Sequence, residues 1–400
     1  MLILNYFLTK FLNFEFKLLN YRISKHNYNI IPKPLPSTSS LVVRNVFKTT
    51  HPKNALISYL VSPFIDSINF SHSNFQECKI IAEILNKLNY NVDVINWDNN
   101  EFKPEISYDI VIDNNNNLDR LKFDLPEHCF KIFHATNSNW LYQNSIEYNR
   151  HREFFLKTGV SITPPRQNSP GNSFMNCDVI TMFGNDFTKN TYGLYSDKVF
   201  HLPMTITSVP NFTNTKNYSE VKFNFIWLNS HGALLKGLDI IIDLFLKMPN
   251  CNLYVCGNTE ADFLFYSYYK KIINQSRNIH ILGWVDIQSN NFQTISDKCA
   301  WVISTSFSEG GGGSILNCMA KGLIPIVSAS VSLNITSEMG FCIDYDSVDN
   351  LKIQIESILN LPDSRLQVLS KNSYEYIIQN HTKKNFTEKF TSLLKTHISN

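Results

Sequence analysis

The sequence predicts an α/β protein of two successive parallel-sheet domains facing each other across a cleft. Three observations predict it. Short apolar runs of strand length alternate with stretches of helical periodicity along most of the chain. The connections between these runs are too long for hairpins, so the strands pair in parallel through crossovers. A stretch with no apolar periodicity, SVPNFTNTKNYSE (208–220), divides the alternation into two series. The length of 400 residues agrees with this division, because single cores stop growing at about 250–300 residues.

Residues 1–50 read as an N-terminal extension. Leu4, Leu8, Phe11, Leu12, Leu18 and Leu19 share one helical face, with Lys10 and Lys17 elsewhere. Such a helix could lie in a membrane interface or pack on its own domain. Lys10, Glu15, Lys17 and Arg22 interrupt the apolar run, and no small-residue cleavage site follows. The segment therefore reads neither as a membrane span, which needs about 20 apolar residues, nor as a signal peptide.

The first domain is expected over 51–207. ALISYLV (55–61) is a strand. Ser73-Asn74-Phe75-Gln76 has a capping-box pattern and opens a helix with Ile80, Ile81, Ile84, Leu85 and Leu88 on one side. VDVINW (92–97), YDIVID (108–113), CFKIFHAT (129–136) and CDVITMFG (177–184) are further strands, the last leading into a helix near Asp186. The second domain is expected over 208–383. FNFIWLN (223–229) is its first strand, followed by a helix from Lys236 to Met248. CNLYVCG (251–257), HILGWV (280–285), AWVISTS (300–306) and IPIVSAS (324–330) continue the alternation. An amphipathic C-terminal helix, 384–400, is expected to pack back on the first domain.

Composition narrows the function. A net charge of +2, with 43% hydrophobic and 18% charged residues, describes a globular chain without the basic face of a nucleic-acid binder. None of the eight cysteines forms a CxxC pair, and no histidine cluster has zinc spacing. They read as buried, reduced thiols of a cytosolic protein. Ligands of parallel α/β sheets sit beyond the carboxyl ends of the strands. That rule selects the loops 62–73, 134–140, 229–236 and 307–314, two from each half, and so a shared site in the cleft.

The last of these loops holds the most informative stretch, SEGGGGSILNCMAKG (308–322). Gly310, Gly311, Gly312 and Gly313 let backbone N–H groups approach a ligand without Cβ obstruction. A helix expected from Ser314 adds a partial positive charge, which suits phosphate. Glu309 would repel phosphate and fits better as an acceptor for sugar hydroxyls. The loop lacks the Lys-Ser/Thr of a P-loop and the third glycine of a dinucleotide fingerprint. A sugar joined to a diphosphate fits both halves of the pattern.

SEGGGGSILNCMAKGLIPIVS resembles the signature of retaining glycosyltransferases of the glycosyltransferase family 4 type (glycosyl transferases group 1), whose GT-B fold has two Rossmann-like domains. LLKGLDIIIDLF resembles that family's donor-phosphate Lys-Gly segment, and HSNFQECKIIAEILNKLNYNVDVINW its first helix and second strand. The resemblance runs over roughly 54–400 and is strongest at 223–330. It implies a retaining hexosyltransferase that uses a nucleotide-diphosphate sugar and no obligatory cofactor or metal. Glu309 would accept bonds from donor-sugar hydroxyls. Lys236 would neutralise the departing diphosphate, with Gly310 to Gly313 and Ser314 close to sugar and diphosphate. His134 would stand near the reaction centre, and His72 on the acceptor side. The acceptor would be a glycan or a lipid-linked glycan of a bacterial surface polysaccharide or glycolipid. The location would be cytoplasmic, with the N-terminal segment a candidate contact at the inner face of the membrane.

Three positions depart from the family pattern. The second signature glutamate is Asn317, which could still hold a ribose or could serve its own helix. The arginine six residues before Lys236 is Ser230, with His231 as a possible substitute cation. The 62–73 loop has no glycine. Two rivals therefore stay open: a degenerate GT-B protein that binds a sugar nucleotide or supports a partner without turnover, and another GT-B activity such as a sugar-nucleotide epimerase. Asp344 and Asp346, the one Asp-x-Asp, read as a solvated loop.

Overall fold

Two parallel-dominated sheets organise the computed structural model, which describes residues 40–65, 73–207, 212 and 216–398. The N-terminal segment through residue 39, and with it the candidate membrane helix, lies outside the described residues, as does His72. Among the described residues no helix is long and apolar enough to cross a membrane.

The first sheet contains β1 (Val42–Val43), β2 (Lys53–Tyr59), β3 (Tyr90–Asn96), β4 (Ile110–Asp113), β5 (Phe130–Ala135), β6 (Val179–Met182) and β7 (Val199–His201) in the order β1-β3-β2-β4-β5-β6-β7. All neighbours are parallel except β1, which pairs antiparallel with β3 at the edge. The second sheet contains β8 (Asn224–Leu228), β9 (Asn252–Cys256), β10 (Ile279–Gly283), β11 (Trp301–Ser304), β12 (Ile324–Ser328) and β13 (Phe341–Ile343). Its order is β10-β9-β8-β11-β12-β13, parallel throughout. Chain order reverses between β2 and β4 in the first sheet and between β8 and β11 in the second. Such reversals splay the following loops apart and open a ligand crevice.

Both sheets are covered on both faces, which is why their strands read as nearly continuous apolar runs. Along β8, Phe225 and Trp227 enter one core while Ile226 and Leu228 enter the other. Along β2, Ala55 and Ile57 face one layer and Leu56 the opposite one. The C-terminal helix Lys383–Ile398 crosses back to the first sheet. Its Phe386, Phe390 and Leu394 are fully buried in the same cluster as Ile57, Ile81 and Val94.

One long helix, Trp140–Thr158, links the two lobes. Asn139 caps its start by accepting from Leu141 N–H at 3.0 Å, and Gly159 ends it at φ +73°. Its Phe154 lies in the core of the second lobe. Arg150 donates to both carboxylate oxygens of Asp239 at 2.8 and 2.7 Å, with its guanidinium 4.3 Å from the Phe307 ring. Lys157 pairs with Asp243 on the same side.

Several local expectations need correction. The second-lobe helix runs Leu238–Leu246, not from Lys236, because Gly237 adopts a left-handed φ of +69° and starts the helix after it. Gln76 does more than open its helix: its Nε2 donates to the Thr207 carbonyl at 3.0 Å. All eight cysteines are free thiols, but Cys342 is exposed, since β13 is a three-residue edge strand with one open face. Strands β1 and β7 were too short to show a pattern.

Candidate functional site

Lys236 is a buried cation of the second lobe. It closes a turn in which its N–H donates to the Gly232 carbonyl at 3.0 Å. Gly237 then lies so close to the end of β11 that a Cβ would fall 2.3 Å from Thr305 Oγ1 and 2.4 Å from its carbonyl oxygen. This contact holds the turn against the neighbouring loop. The Lys236 side chain, 4% exposed, reaches Glu309 Oε1 at 2.5 Å and donates to the Ser308 carbonyl at 3.2 Å. Burial pushes the Lys236 pKa down; the Glu309 carboxylate opposes that shift and Arg166 adds to it.

The glycine run proves to be shaped first by the protein itself. A Cβ on Gly310 would stand 1.8 Å from the Thr136 carbonyl oxygen, at the end of β5 in the opposite lobe. One on Gly313 would meet Met204 Sδ at 2.9 Å. Gly312 has φ +59° and precedes a short helix, Gly313–Met319. The first lobe also grips the residue before the run: Thr188 Oγ1 donates to the Glu309 carbonyl at 3.1 Å, and Ser308 Oγ bonds Gln143 Oε1 at 2.5 Å. The backbone of Glu309 is thus held from one lobe while its carboxylate answers Lys236 of the other.

Between the lobes lies a cavity of about 420 Å³. Ser230, Lys236, Glu309, Gly310, Gly312, Gly313, Ser314 and Asn317 all line it. The first lobe contributes Tyr59, Asn74, Glu77 and Arg166. Trp284, 61% exposed on the loop after β10, stands at its edge. Arg166 and Trp284 were not singled out from the sequence. Arg166 follows Pro164-Pro165 in a stretch without strand or helix pattern, so no periodicity pointed to it. Among the described residues its guanidinium makes no ion pair; it approaches His231 Nε2 at 3.5 Å. Glu77 is fully buried, and burial raises its carboxyl to about 8, partly offset by long hydrogen bonds from Thr205.

Other expected positions differ. His134 is not on the cavity wall: it is fully buried, with its ring between Tyr59 and Phe183 and its Nδ1 3.0 Å from Thr181 Oγ1. Its place on β5 sends its side chain into the core layer, and burial lowers its pKa to about 4. Burial, Arg166 and Lys236 push the His231 pKa down, which disfavours its charged form, and Glu147 opposes the shift. Asn317 serves its own surroundings. Its Nδ2 donates to the Gly313 carbonyl at 2.8 Å, and its Oδ1 accepts from Thr207 Oγ1 at 3.0 Å and from Thr207 N–H at 3.3 Å. Gly311 faces a different groove, beside Gly184 and Ser332. Asp344 and Asp346 are exposed beyond β13.

The comparisons with known proteins agree with this architecture. No curated protein matches the chain. Sucrose-phosphate synthase (tll1590) from Thermosynechococcus elongatus is similar at 12% identity over 87% of this chain and 99% of its own, with a TM-score of 0.60. Anabaena HepE in complex with UDP and glucose is similar at 11% identity, over 86% and 99% of the two chains, with a TM-score of 0.55. A glycosyltransferase from Rickettsia africae ESF-5 gives 12%, 88%, 100% and 0.52. Two structures of TarM align at a TM-score of 0.49, and this chain spans only 55% and 54% of their length. At these identities the likeness is one of fold. The family model for glycosyl transferases group 1 matches residues 211–395, the part that carries Lys236, Glu309 and the glycine run, so this lobe is similar to that family within a two-domain GT-B fold.

Proposed function

We propose that this protein is a glycosyltransferase that moves a sugar from a nucleotide-diphosphate sugar to an acceptor hydroxyl with retention of configuration. The observation that carries the reading is the Lys236–Glu309 pair, with Lys236 buried and Glu309 partly exposed, at the β8/β11 reversal on the cavity that Arg166 also lines. Without a ligand, Lys236 is neutralised by Glu309. A diphosphate entering the cavity draws Lys236 to itself and gains Arg166 as second cation. Glu309 is then released to accept hydroxyl groups of the sugar. The cation that position 230 lacks is in this way supplied by the first lobe.

In the transfer, the bond from the anomeric carbon to the diphosphate oxygen breaks and its electron pair leaves with that oxygen. The acceptor oxygen bonds the same carbon, and its proton passes to the departing diphosphate. Fixed positive charge at Lys236 and Arg166 favours the negative charge that develops there. Closure of the lobes around the donor would exclude competing water. Trp284 offers a flat surface on which a nucleobase can stack. Family 4 membership, a hexose as transferred sugar, independence of metal, a cytoplasmic site of action and a part in surface polysaccharide or glycolipid synthesis follow from the resemblance and belong to this reading.

Calorimetry and thermal shift with a panel of nucleotide sugars test it. Wild-type protein is expected to bind at least one. Lys236→Ala and Arg166→Ala should each weaken that ligand about tenfold or more, since a hydrogen bond to a charged group contributes about 1.5–3 kcal/mol. Glu309→Ala should spare a nucleoside diphosphate and abolish transfer. Absence of binding by every nucleotide sugar, or equal binding in all variants, sinks the proposal. The engagement of Asn317 by Thr207 and Gly313 favours one alternative, a binder without turnover. Tight binding with neither hydrolysis nor transfer across a broad acceptor panel would select it.

A further inference from the structure

Beside the cleft, the first lobe holds a second cavity of about 230 Å³ that the donor chemistry does not use. It lies beyond the carboxyl ends of β3, β4 and β5, closed by the start of the helix at Trp140 and by the segment 167–171. Trp97, Asn114, Thr136 and Asn137 belong to the walls of both cavities, so the two adjoin. The shared Thr136 is the residue whose carbonyl touches Gly310, one position from Glu309.

The chemistry of its lining is unusual. Among its described lining residues there is no lysine, arginine, histidine, aspartate or glutamate. The walls consist of aromatic rings, among them Trp97, Trp140 and Phe174, and of amide and hydroxyl side chains. Several polar groups have no partner among the described residues. The Trp140 indole N–H is buried and unbonded. Among the described residues the side chains of Asn115 and Asn137, both half-buried, make no hydrogen bond. An amide offers both donors and an acceptor, which matches a ligand whose hydroxyls do the same. Aromatic faces suit the apolar C–H face of a sugar ring. An anionic group here would meet no counter-charge among the described lining residues.

We propose that this cavity binds the terminal residue of a neutral saccharide, and that the acceptor of the reaction is therefore an uncharged sugar end and not one bearing phosphate or carboxylate. The proposal rests on the transferase reading for its place in the reaction. The volume, below the roughly 300–1,000 Å³ of drug-sized pockets, admits a ring and not a chain. Its hydroxyl would point past Thr136 and Asn137, which line both cavities, towards the donor cleft.

Ligand-observed saturation-transfer NMR on the full chain tests it. The probes are methyl glycosides of glucose, galactose, mannose and N-acetylglucosamine, set against glucuronic acid and glucose 6-phosphate. At least one neutral glycoside should bind, and the anionic sugars at least about tenfold more weakly. Asn115→Asp and Trp140→Phe, the second a replacement that keeps an aromatic ring but removes the indole N–H, should each reduce the neutral signal several-fold. UDP-glucose binding and circular dichroism in the same samples report on the donor cleft and on folding separately. Equal binding of anionic sugars, signals unchanged in both variants, or no neutral glycoside bound by a protein that binds nucleotide sugar would overturn the inference. Neutral glycosides bound in a variant-sensitive way by a protein that binds no nucleotide sugar would uphold the pocket and remove the transferase reading.

Discussion

At Gly310 the demand for a missing side chain comes from the opposite lobe before any ligand is considered. Its φ is not in the left-handed region, so alanine there meets no backbone penalty. A Cβ would clash with the Thr136 carbonyl and with Asn137 Cα at 2.9 Å, and backbone cannot rotate aside as a side chain can. Gly310→Ala should therefore lower stability by about 1–3 kcal/mol, the usual cost of overpacking, and reduce transfer by shifting Glu309. Chemical denaturation together with a transfer assay checks this. Unchanged stability would mean that the contact between loop and β5 is not maintained in solution.

The helix Trp140–Thr158 is the element that decides how the lobes sit. Its N-terminal turn closes the neutral side cavity, while Phe154 is buried in the second core. Between them Arg150 meets Asp239, both with side chains 8% exposed. Removal of one member of a buried pair leaves a charge without a partner and costs about 3–5 kcal/mol. Arg150→Ala should show a loss of that size in urea denaturation. The double replacement Arg150→Met with Asp239→Leu should recover much of it, because no charge remains buried. A loss in the double variant equal to that in the single one would refute the account. From the sequence this helix was not anticipated: its apolar residues are few, and its buried positions include Gln143, Glu147 and Arg150, which carry no hydrophobic period.

For the whole molecule, three buried ionisable groups set an opposed pH dependence. His134 and His381 are held neutral by burial, each lowered to about 4. Unfolded histidine takes up a proton near 6.5, so stability should fall as pH drops from about 6.5 towards 4. Glu77 is raised from 4.5 to about 8. Over that interval the folded chain keeps a proton that the unfolded chain has released, so its contribution declines as pH rises. Thermal melts across this range should show a maximum, and Glu77→Gln should flatten the decline between about 6.5 and 8. An unaltered alkaline limb in that variant would show that Glu77 is ionised in the folded state.

The local order of strands was readable from the chain because each is a short apolar run covered on both faces, and burial from both sides demands such a run. The alternation also implied parallel crossovers, and SEGGGGSILNCMAKG marked a loop where backbone must approach something closely. Lys236 and Glu309 could be named from residue type and spacing. Their meeting at 2.5 Å depends on β8 and β11 being neighbours at a reversal of strand order, a relation between segments more than 70 residues apart. The same holds for Arg166, whose position opposite Lys236 has no local signature, and for His134, whose burial depends on which face of β5 the core covers. Residue chemistry and local periodicity act over a few positions and are written in the chain. Which distant groups share a cavity, and what protonation state burial imposes on them, is a property of packing, and only the folded molecule decides it.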